Sequence, residues 1–247
     1  MQGQKQSARM KYTLLELLYR NREEELEREY PQVLALLSHH HIGFDVGIQS
    51  IRDLSGQRIR LWGWAEERVS AEYGHDKLIQ LTGIDSWFNA SQDPQLLTNR
   101  FSHLYVPVLS FSLVSDIVRF NDRRPFVNVI LQALLRGHRV TALKVGADPF
   151  HPLWQQAGIN HGTPAIKREL FEQLQQLRSF GIQLVDENDL RTVMARTARP
   201  KRSVLTEENI VYAYENGERE ICTARNTIIT PLAADLAKQY QIRIKQE

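Results

Sequence analysis

Strand-length apolar runs alternate with helical patterns along most of this chain, and that alternation limits the folds it can adopt. The runs predict six strands, at 32–38, 58–64, 84–90, 103–110, 139–145 and 182–187. Amphipathic helical periodicity separates most of them, at 65–82, 94–102, 112–136 and 164–180. Because strands that alternate with helices form βαβ units, the sequence predicts a mostly parallel sheet with right-handed crossovers.

Glycines stand where most of the predicted helices end. The four positions are Gly56, Gly83, Gly137 and Gly181. A helix commonly ends on a left-handed residue, and that residue is usually glycine, so these positions support the helix boundaries. The predicted fold is therefore α/β, a flavodoxin- or Rossmann-like doubly wound parallel sheet of five or six strands. Helices cover both faces, and the first strand lies beside the fourth.

The chain divides into four predicted segments. Residues 1–30 hold an N-terminal tail and an amphipathic helix over 11–30, and residues 31–190 form the α/β domain. Residues 191–203 contain five basic residues and no acid, which predicts a solvated linker. Residues 204–247 form a small C-terminal α+β segment of helices and strands.

The C-terminal segment contains a clearly marked strand and helix. Residues 227–229 read as a strand, Thr230 as a helix N-cap and Pro231 as the first helical residue. The apolar stripe of this helix is predicted at Leu232, Leu236 and Tyr240. Thr206, with Asn209 three residues later, resembles a weaker helix start.

Composition excludes several classes of protein. The 247 residues are 42% hydrophobic, which is enough for a large core, and the net charge of +2 is too small to indicate nucleic-acid binding. A single cysteine, Cys222, excludes an internal disulfide framework and fits a reducing cytosol. We find no apolar run long enough to span a membrane and no secretion signal. The sequence predicts a cytoplasmic protein that binds neither nucleic acid nor membrane.

Two loops follow the strands that should flank the ligand crevice of a doubly wound sheet. The loop after the first strand, "SHHHIGFDVG" at 38–47, offers Ser38 and Gly43, and a glycine before a helix lets backbone N–H groups approach a phosphate. Neither a G-x-G-x-x-G motif nor a Walker lysine is present. The phosphate signal therefore comes from the loop's position and composition alone.

The loop after the fourth strand, "PVLSFS" at 107–112, supplies Pro107, Ser110, Phe111 and Ser112. Ser112 is predicted to cap the helix that follows. Phe111, together with Trp64 in the neighbouring "GWAEE" loop, offers aromatic faces. Hydroxyls, backbone amides and aromatic faces suit a planar phosphorylated ligand, but they also suit an ordinary domain rim.

Three consecutive histidines, His39, His40 and His41, raise the alternative of a metal site. Neighbouring residues of an extended chain point to opposite faces, so the three imidazoles do not easily meet one ion. No metal site is predicted. Loop polarity or a hydrogen bond to a ligand explains these residues more simply.

Two stretches carry a resemblance to a known family. "LYVPVLSFSLVSDIV…FVNVILQALLRGHRVTALKVG" resembles the flavoprotein-like proteins of bacterial microcompartment operons, of the ethanolamine-utilisation type. These are distant relatives of FMN-dependent cysteine decarboxylases, whose Pro-Ala-Ser-Ala-Asn-Thr loop takes the place of Pro107–Ser112. "LTEENIVYAYENGEREI…NTIITPLAADLAKQYQIRI" is similar to the closing segment of that operon family and of some microcompartment cobalamin adenosyltransferases. As a pattern, the likeness covers about residues 31–245.

The resemblance implies a flavoprotein-like protein of a microcompartment pathway that binds FMN or a related nucleotide between the first and fourth strands. The implied cofactor-binding residues are Ser38, Gly43, Trp64, Pro107, Ser110, Phe111 and Ser112. The asparagine of the decarboxylase loop is absent, and no catalytic residue can be matched. The alternative is a non-catalytic interaction or assembly protein that keeps the fold without the site. The 11–30 helix could bind a microcompartment shell or cargo protein, or it could simply cap the sheet domain, and self-association into a homo-oligomer stays open.

Overall fold

The computed structural model describes residues 8–88, 93–197, 204–223 and 227–246. The chain forms two compact units, Met1–Arg199 and Pro200–Glu247. The first unit has two hydrophobic clusters and the second has one. Among the described residues, no helix combines the length and the apolar character needed to cross a membrane.

The first unit contains a six-stranded parallel sheet. Its strands are β1 Gln32–Leu37, β2 Arg60–Ala65, β3 Trp87–Phe88, β4 His103–Val106, β5 Arg139–Leu143 and β6 Ile182–Val185. Their spatial order is β3-β2-β1-β4-β5-β6, and every neighbouring pair is parallel. This order is the doubly wound one, with β1 beside β4, so the predicted fold class is confirmed. The last residues of the predicted third strand, 89 and 90, lie outside the described residues.

Ten helices of this unit are described. They are α1 Ala8–Leu18, α2 Glu23–Glu29, α3 Phe44–Ser55, α4 Glu67–Thr82, α5 Pro94–Arg100, α6 Phe111–Val118, α7 Pro125–Leu135, α8 Pro152–Gln156, α9 Pro164–Ser179 and α10 Leu190–Thr197. The long 112–136 helical stretch consists of two helices, α6 and α7, because Pro125 occupies the first turn of the second.

Both faces of the sheet are buried, because successive side chains of each strand point to opposite sides. Leu34 and Leu36 of β1 belong to a cluster shared with α5, α6, α7 and α9. Val33, Ala35 and Leu37 belong to the other, shared with α3, α4 and α10. The near-continuous apolar run of β1 is therefore explained by burial on two sides.

The N-terminal helix predicted over 11–30 is in fact two helices. Asn21 adopts a left-handed conformation (φ 65°) between α1 and α2, which breaks the helix. Leu15 on α1 and Leu26 on α2 are both buried, at 8% and 5% exposure. The hydroxyl of Tyr12 on α1 also accepts a hydrogen bond from the Leu61 N–H of β2 (3.0 Å), so α1 is attached to the sheet.

Two further boundaries differ from the prediction. Gly56 ends α3 with a right-handed conformation (φ −80°), whereas Gly83, Gly137 and Gly181 are left-handed as expected. The first part of the predicted linker is α10, because Leu190 and Met194 place an apolar face against the sheet cluster. Residues 198–203 of that linker lie outside the described residues.

The second unit is built from two strand–helix–strand segments of similar length, and the two strands of each segment belong to different two-stranded sheets. The first consists of β7 Val204–Leu205, α11 Glu207–Glu215 and β8 Glu220–Thr223, and the second of β9 Ile228–Ile229, α12 Pro231–Gln239 and β10 Arg243–Gln246. Strand β7 pairs in parallel with β9, and β8 pairs in parallel with β10. The two segments of the second unit therefore have the same order of elements, and their corresponding strands pair with each other.

Thr230 caps α12 as predicted, since its hydroxyl accepts a hydrogen bond from Ala233 N–H (3.2 Å) and Pro231 stands in the first turn. Of the predicted apolar stripe, Leu236 and Tyr240 pack against the cluster of the second unit, whereas Leu232 does not. Leu232 is 53% exposed, and the face packed against α11 is centred on the fully buried Ala233 and on Ala237. Small residues let the two helices approach closely, which hydrophobic periodicity alone did not indicate.

Candidate functional site

The carboxyl ends of β1 and β4 meet at the point where the strand order reverses, which is where doubly wound sheets bind ligands. Ser38, directly after β1, is completely buried and its hydroxyl donates a hydrogen bond to the Val108 carbonyl (2.8 Å). This bond joins the loop after β1 to the loop after β4. In this structure Ser38 ties the two predicted loops together instead of presenting a free hydroxyl.

Gly43 begins α3 with a left-handed backbone (φ 78°), a conformation that glycine adopts without strain. No side chain caps this helix. The N–H groups of a first helical turn have no partner within the helix, and together with the helix dipole they attract an anion. The exposed Asp45 lies in the same turn, and its negative charge works against an anion there.

The loop after β5 completes this edge. A side chain at Gly146 would overlap the carbonyl oxygen of Leu109 and lie 3.2 Å from that of Ile42. A side chain at Gly43 would lie 3.1 Å from Val145. The 38–43 and 107–110 loops therefore meet through Gly146, which only a residue without a side chain permits.

The hydroxyls after β4 are engaged within the protein. Ser110, not Ser112, is the N-cap of α6, and its oxygen accepts a hydrogen bond from Leu113 N–H (3.2 Å). The cap prediction at Ser112 is therefore wrong by two residues, because β4 ends early and α6 begins at Phe111. Ser112 instead accepts a hydrogen bond from the Arg124 guanidinium (3.0 Å).

Arg124 organises the rim between the end of β2 and the start of α7. Its guanidinium donates to Glu66 (Nε to Oε1, 2.8 Å) and pairs with Asp116 (Nη1 to Oδ2, 3.2 Å). Beside it lies a cavity of about 520 Å³, whose lining includes Trp64, Glu66, Arg124 and Phe126. No local pattern predicted this ion-pair network, because Glu66 and Asp116 lie 58 and 8 residues from Arg124 and belong to different elements.

Trp64 lines that cavity but is itself only 1% exposed. Its ring packs against Phe126 with 4.8 Å between centroids. The indole N–H is buried and has no hydrogen-bond partner among the described residues. The ring face that the sequence offered for stacking on a ligand is therefore covered by protein in this structure.

Phe111 stands at the centre of an aromatic group on the switch-point rim. Its ring lies 4.6 Å from that of His40, 6.3 Å from that of His41 and 5.5 Å from that of Trp154. Trp154 donates its indole N–H to the Val145 carbonyl (3.0 Å), which holds the group against the loop after β5. Of the two predicted aromatic residues, Phe111 is thus the one beside the switch point.

The three consecutive histidines occupy different surroundings. The His39 ring packs against Phe44, with 5.2 Å between centroids, while the His40 ring contacts Phe111. His41 is exposed. Burial lowers the pKa of His40, and the charges of its neighbours His41 and His39 lower it further. The backbone hydrogen bond to Ile42 acts in the opposite direction.

A further polar group lies after β5 and β6, where His151, Asp186 and Glu187 bring ligand-type atoms within 4.8 Å of one another. His151 Nδ1 accepts a hydrogen bond from Leu153 N–H (3.3 Å), so the proton of the neutral ring sits on Nε2, facing Glu187. Asp186 is paired with Lys144 (3.1 Å). A protonated Nε2 and a neighbouring ammonium group fit a cation poorly, so this group reads as an ion-pair network.

Comparison with known proteins finds likeness in solved structures only. No family model matches the chain, and no curated protein matches it. An FMN-dependent cysteine decarboxylase of thioviridamide biosynthesis, TvaF, is 12% identical at a TM-score of 0.48, with 68% of this chain and 97% of that chain covered.

Two other solved structures show a similar likeness. HAL3 from Cryptococcus neoformans is 10% identical at a TM-score of 0.44, with 69% of this chain and 97% of that chain covered. A dodecameric FMN-dependent UbiX-like decarboxylase from Escherichia coli O157:H7 is 11% identical at a TM-score of 0.43, with 63% of this chain and 79% of that chain covered. At these identities the likeness concerns the fold alone, and the strand order of the chain already establishes that the fold is doubly wound.

Proposed function

We propose that this is a flavoprotein-like protein that binds FMN or a related nucleotide between β1 and β4 and serves a bacterial microcompartment pathway. One observation carries the proposal: α3 begins on a left-handed glycine, without a side-chain cap, at the switch point of the sheet. Such a terminus favours a phosphate, because free N–H groups and the helix dipole act together.

The residues at this edge divide the work of binding. The first-turn amides of α3, from Gly43 onwards, would hold the phosphate, and Phe111 would offer an aromatic face to the ring system. Ser38, Pro107, Ser110 and Ser112 would fix the shape of the two loops. The cavity beside Trp64 and Arg124, about 520 Å³, has the size of a small-molecule pocket, but of the seven predicted residues only Trp64 lines it. Bound FMN would supply hydride- or electron-transfer chemistry.

The test is titration of the full-length protein with FMN, followed by tryptophan fluorescence. Trp154 packs against Phe111, so a bound flavin should quench its emission. We expect Gly43→Ala to weaken FMN binding at least tenfold, because the left-handed backbone is strained with a side chain and the new methyl group lies 3.1 Å from Val145.

A matched control is Gly137→Ala, which introduces the same left-handed strain (φ 71°) where nothing lies within 4 Å. This variant should bind FMN as the wild type does. The absence of quenching at high micromolar FMN, together with the absence of a chromophore in freshly purified protein, would contradict the proposal.

A second candidate is the interaction or assembly protein, and two observations favour it. The hydroxyls of Ser38, Ser110 and Ser112 already have partners within the protein. In addition, α1 is attached to the sheet yet exposes three leucines, Leu14, Leu17 and Leu18, by 55%, 61% and 67%. Exposed apolar groups of this kind are typical of contact surfaces. We propose a microcompartment shell or cargo protein as the partner.

Replacing these three leucines with serine should abolish co-purification with such a partner and leave FMN binding unchanged. Analytical ultracentrifugation of the same variant would show whether the leucines instead join copies of this chain. Unchanged partner binding and unchanged mass would remove support for this candidate.

A further inference from the structure

His40 is a buried polar residue whose partner is missing from the described part of the chain. The residue is 7% exposed, and its Nε2 atom has no hydrogen-bond partner there. Its Nδ1 atom lies 3.2 Å from the Ile42 nitrogen and 3.1 Å from the Ile42 oxygen. Whichever of these bonds Nδ1 makes, Nε2 is left unpaired: as a donor in one tautomer and as an acceptor in the other.

An unpaired buried polar atom is unfavourable, and such atoms in native proteins usually have a partner that a bare chain does not show. The position of His40 indicates what that partner is. The residue lies in the loop that leads from β1 into the uncapped start of α3, and its ring packs against those of His41 and Phe111. This loop is the place where the amides of α3 attract an anion.

We infer that His40 Nε2 donates a hydrogen bond to the phosphate of the nucleotide bound at the start of α3, and that binding takes up a proton on this imidazole. The inference rests on the proposed function and adds the group that recognises the phosphate. It assigns a role to one histidine of the three, with His39 and His41 outside the contact.

The electrostatics of the loop set the sign of the effect. Burial and the neighbouring histidines favour neutral His40 in the free protein, whereas a phosphate dianion beside Nε2 favours the protonated ring. Phe111, on the facing helix, is uncharged. In the loops after β5 and β6, Lys144 pairs with both Asp148 and Asp186 (3.1 Å each), and His151 Nε2 lies 3.3 Å from Glu187.

Proton uptake means that FMN affinity should rise as the pH falls towards the pKa of His40. The direct measurement is isothermal titration calorimetry of the full-length protein at pH 7.5, in two buffers with different ionisation enthalpies. We expect wild-type protein to take up a measurable fraction of a proton per FMN bound, and none per riboflavin bound, because riboflavin lacks the phosphate.

Two substitutions at His40 distinguish the contribution of its hydrogen bond to FMN affinity from the proton that it takes up on binding. His40→Gln keeps a donor near the Nε2 position but does not titrate, so FMN affinity should stay within about threefold while proton uptake disappears. His40→Leu removes both, and we expect a loss of about tenfold in FMN affinity. His75→Gln, at an exposed position outside this loop, is the control and should change neither quantity.

The outcomes distinguish this inference from the proposed function. FMN binding without proton uptake, or uptake that survives His40→Gln, overturns the inference and leaves the flavin site standing. Equal uptake with riboflavin overturns the assignment to phosphate. If the wild-type protein binds neither FMN nor riboflavin, both the inference and the proposed function are wrong.

Discussion

The two units of this protein reach a folded state by different means. In the first, strands of the sheet are buried on both faces, and both clusters are large. In the second, two short strand–helix–strand segments pack around a single cluster, whose buried members are Leu205, Ile210, Ala213, Ala233, Ala237 and Ile242. Strands β7 and β9 have two residues each.

This difference bears on how each unit responds to mutation. A large core has many contacts to lose, so its stability depends mainly on burial of apolar area. A small unit buries little, and local devices such as helix caps contribute a larger share of its stability. The repeated Thr-led helices at Thr206 and Thr230 are devices of this kind.

The largest expected effect is the loss of stability caused by a cavity in the core of the first unit. Leu36→Ala should destabilise the sheet unit by about 3 kcal/mol, because Leu36 is completely buried and its replacement leaves a cavity. All four tryptophans lie at positions 62, 64, 87 and 154, so fluorescence-monitored urea unfolding reports on this unit.

Ile210→Ala, at an equally buried position of the second unit, is the matched variant. It should leave the fluorescence midpoint unchanged and accelerate hydrogen exchange in peptides covering 204–223. If each variant shifts both signals equally, the units unfold as one and the contrast drawn above is wrong.

The next effect is a pH dependence confined to the sheet unit. His103 is 2% exposed and hydrogen-bonded to the Thr141 hydroxyl (3.0 Å). Burial, and then the Arg139 charge, lower the pKa of His103 from 6.5 to about 3. The unfolded chain therefore binds the proton more tightly, so stability falls as the pH drops below 6.5 towards 3.

At pH 5 this deficit should reach about 2 kcal/mol relative to pH 7.5, at about 1.4 kcal/mol for each pH unit below the unfolded pKa. In the His103→Gln variant, the urea midpoint should differ less between pH 5 and pH 7.5 than it does in the wild type. The variant also loses some stability at pH 7.5. His75→Gln, at an exposed position, should leave the pH profile as it is. A profile unaffected by His103→Gln would show that other groups control acid unfolding.

The smallest effect compares the two helix caps of the second unit. Thr230→Ala should cost about 1 kcal/mol, because its hydroxyl accepts from Ala233 N–H. Thr206→Ala should cost less, since its hydroxyl donates to the Asn209 side chain (3.0 Å) and Asn209 still accepts from the backbone N–H of residue 206. Hydrogen exchange of the peptides covering α11 and α12 measures both. Equal protection loss in the two variants would contradict the difference.

The sequence predictions are accurate where a feature depends on residues close together in the chain, and they fail where it depends on contacts between distant residues. The β1 run and the Thr230-Pro231 start were identified because their signals are local: burial on two faces, and a cap next to a proline. Helix α10 was missed because its basic surface hides two apolar contacts, Leu190 and Met194, that only the sheet explains.

At the candidate site, the sequence identified the correct loops but not what their side chains do. Ser38 and Ser112 were predicted as ligand hydroxyls or caps, and the structure shows them bonded to Val108 and Arg124. Partners 70 and 12 residues away cannot be read from spacing, because they depend on strand order and on how loops close. The cofactor-binding roles of all seven residues stay predictions that the flavin titration tests.

The sequence by itself determined the secondary-structure alternation, the parallel sheet and the adjacency of the first and fourth strands, since periodicity and the chirality of crossovers leave few alternatives. The tertiary structure alone decided which polar groups are free to bind. It engaged Ser38, Ser110 and Ser112, covered Trp64 and left the start of α3 and His40 Nε2 without partners in the described chain. The physical reason is that hydrogen-bond satisfaction depends on distances across the fold, which no local pattern records.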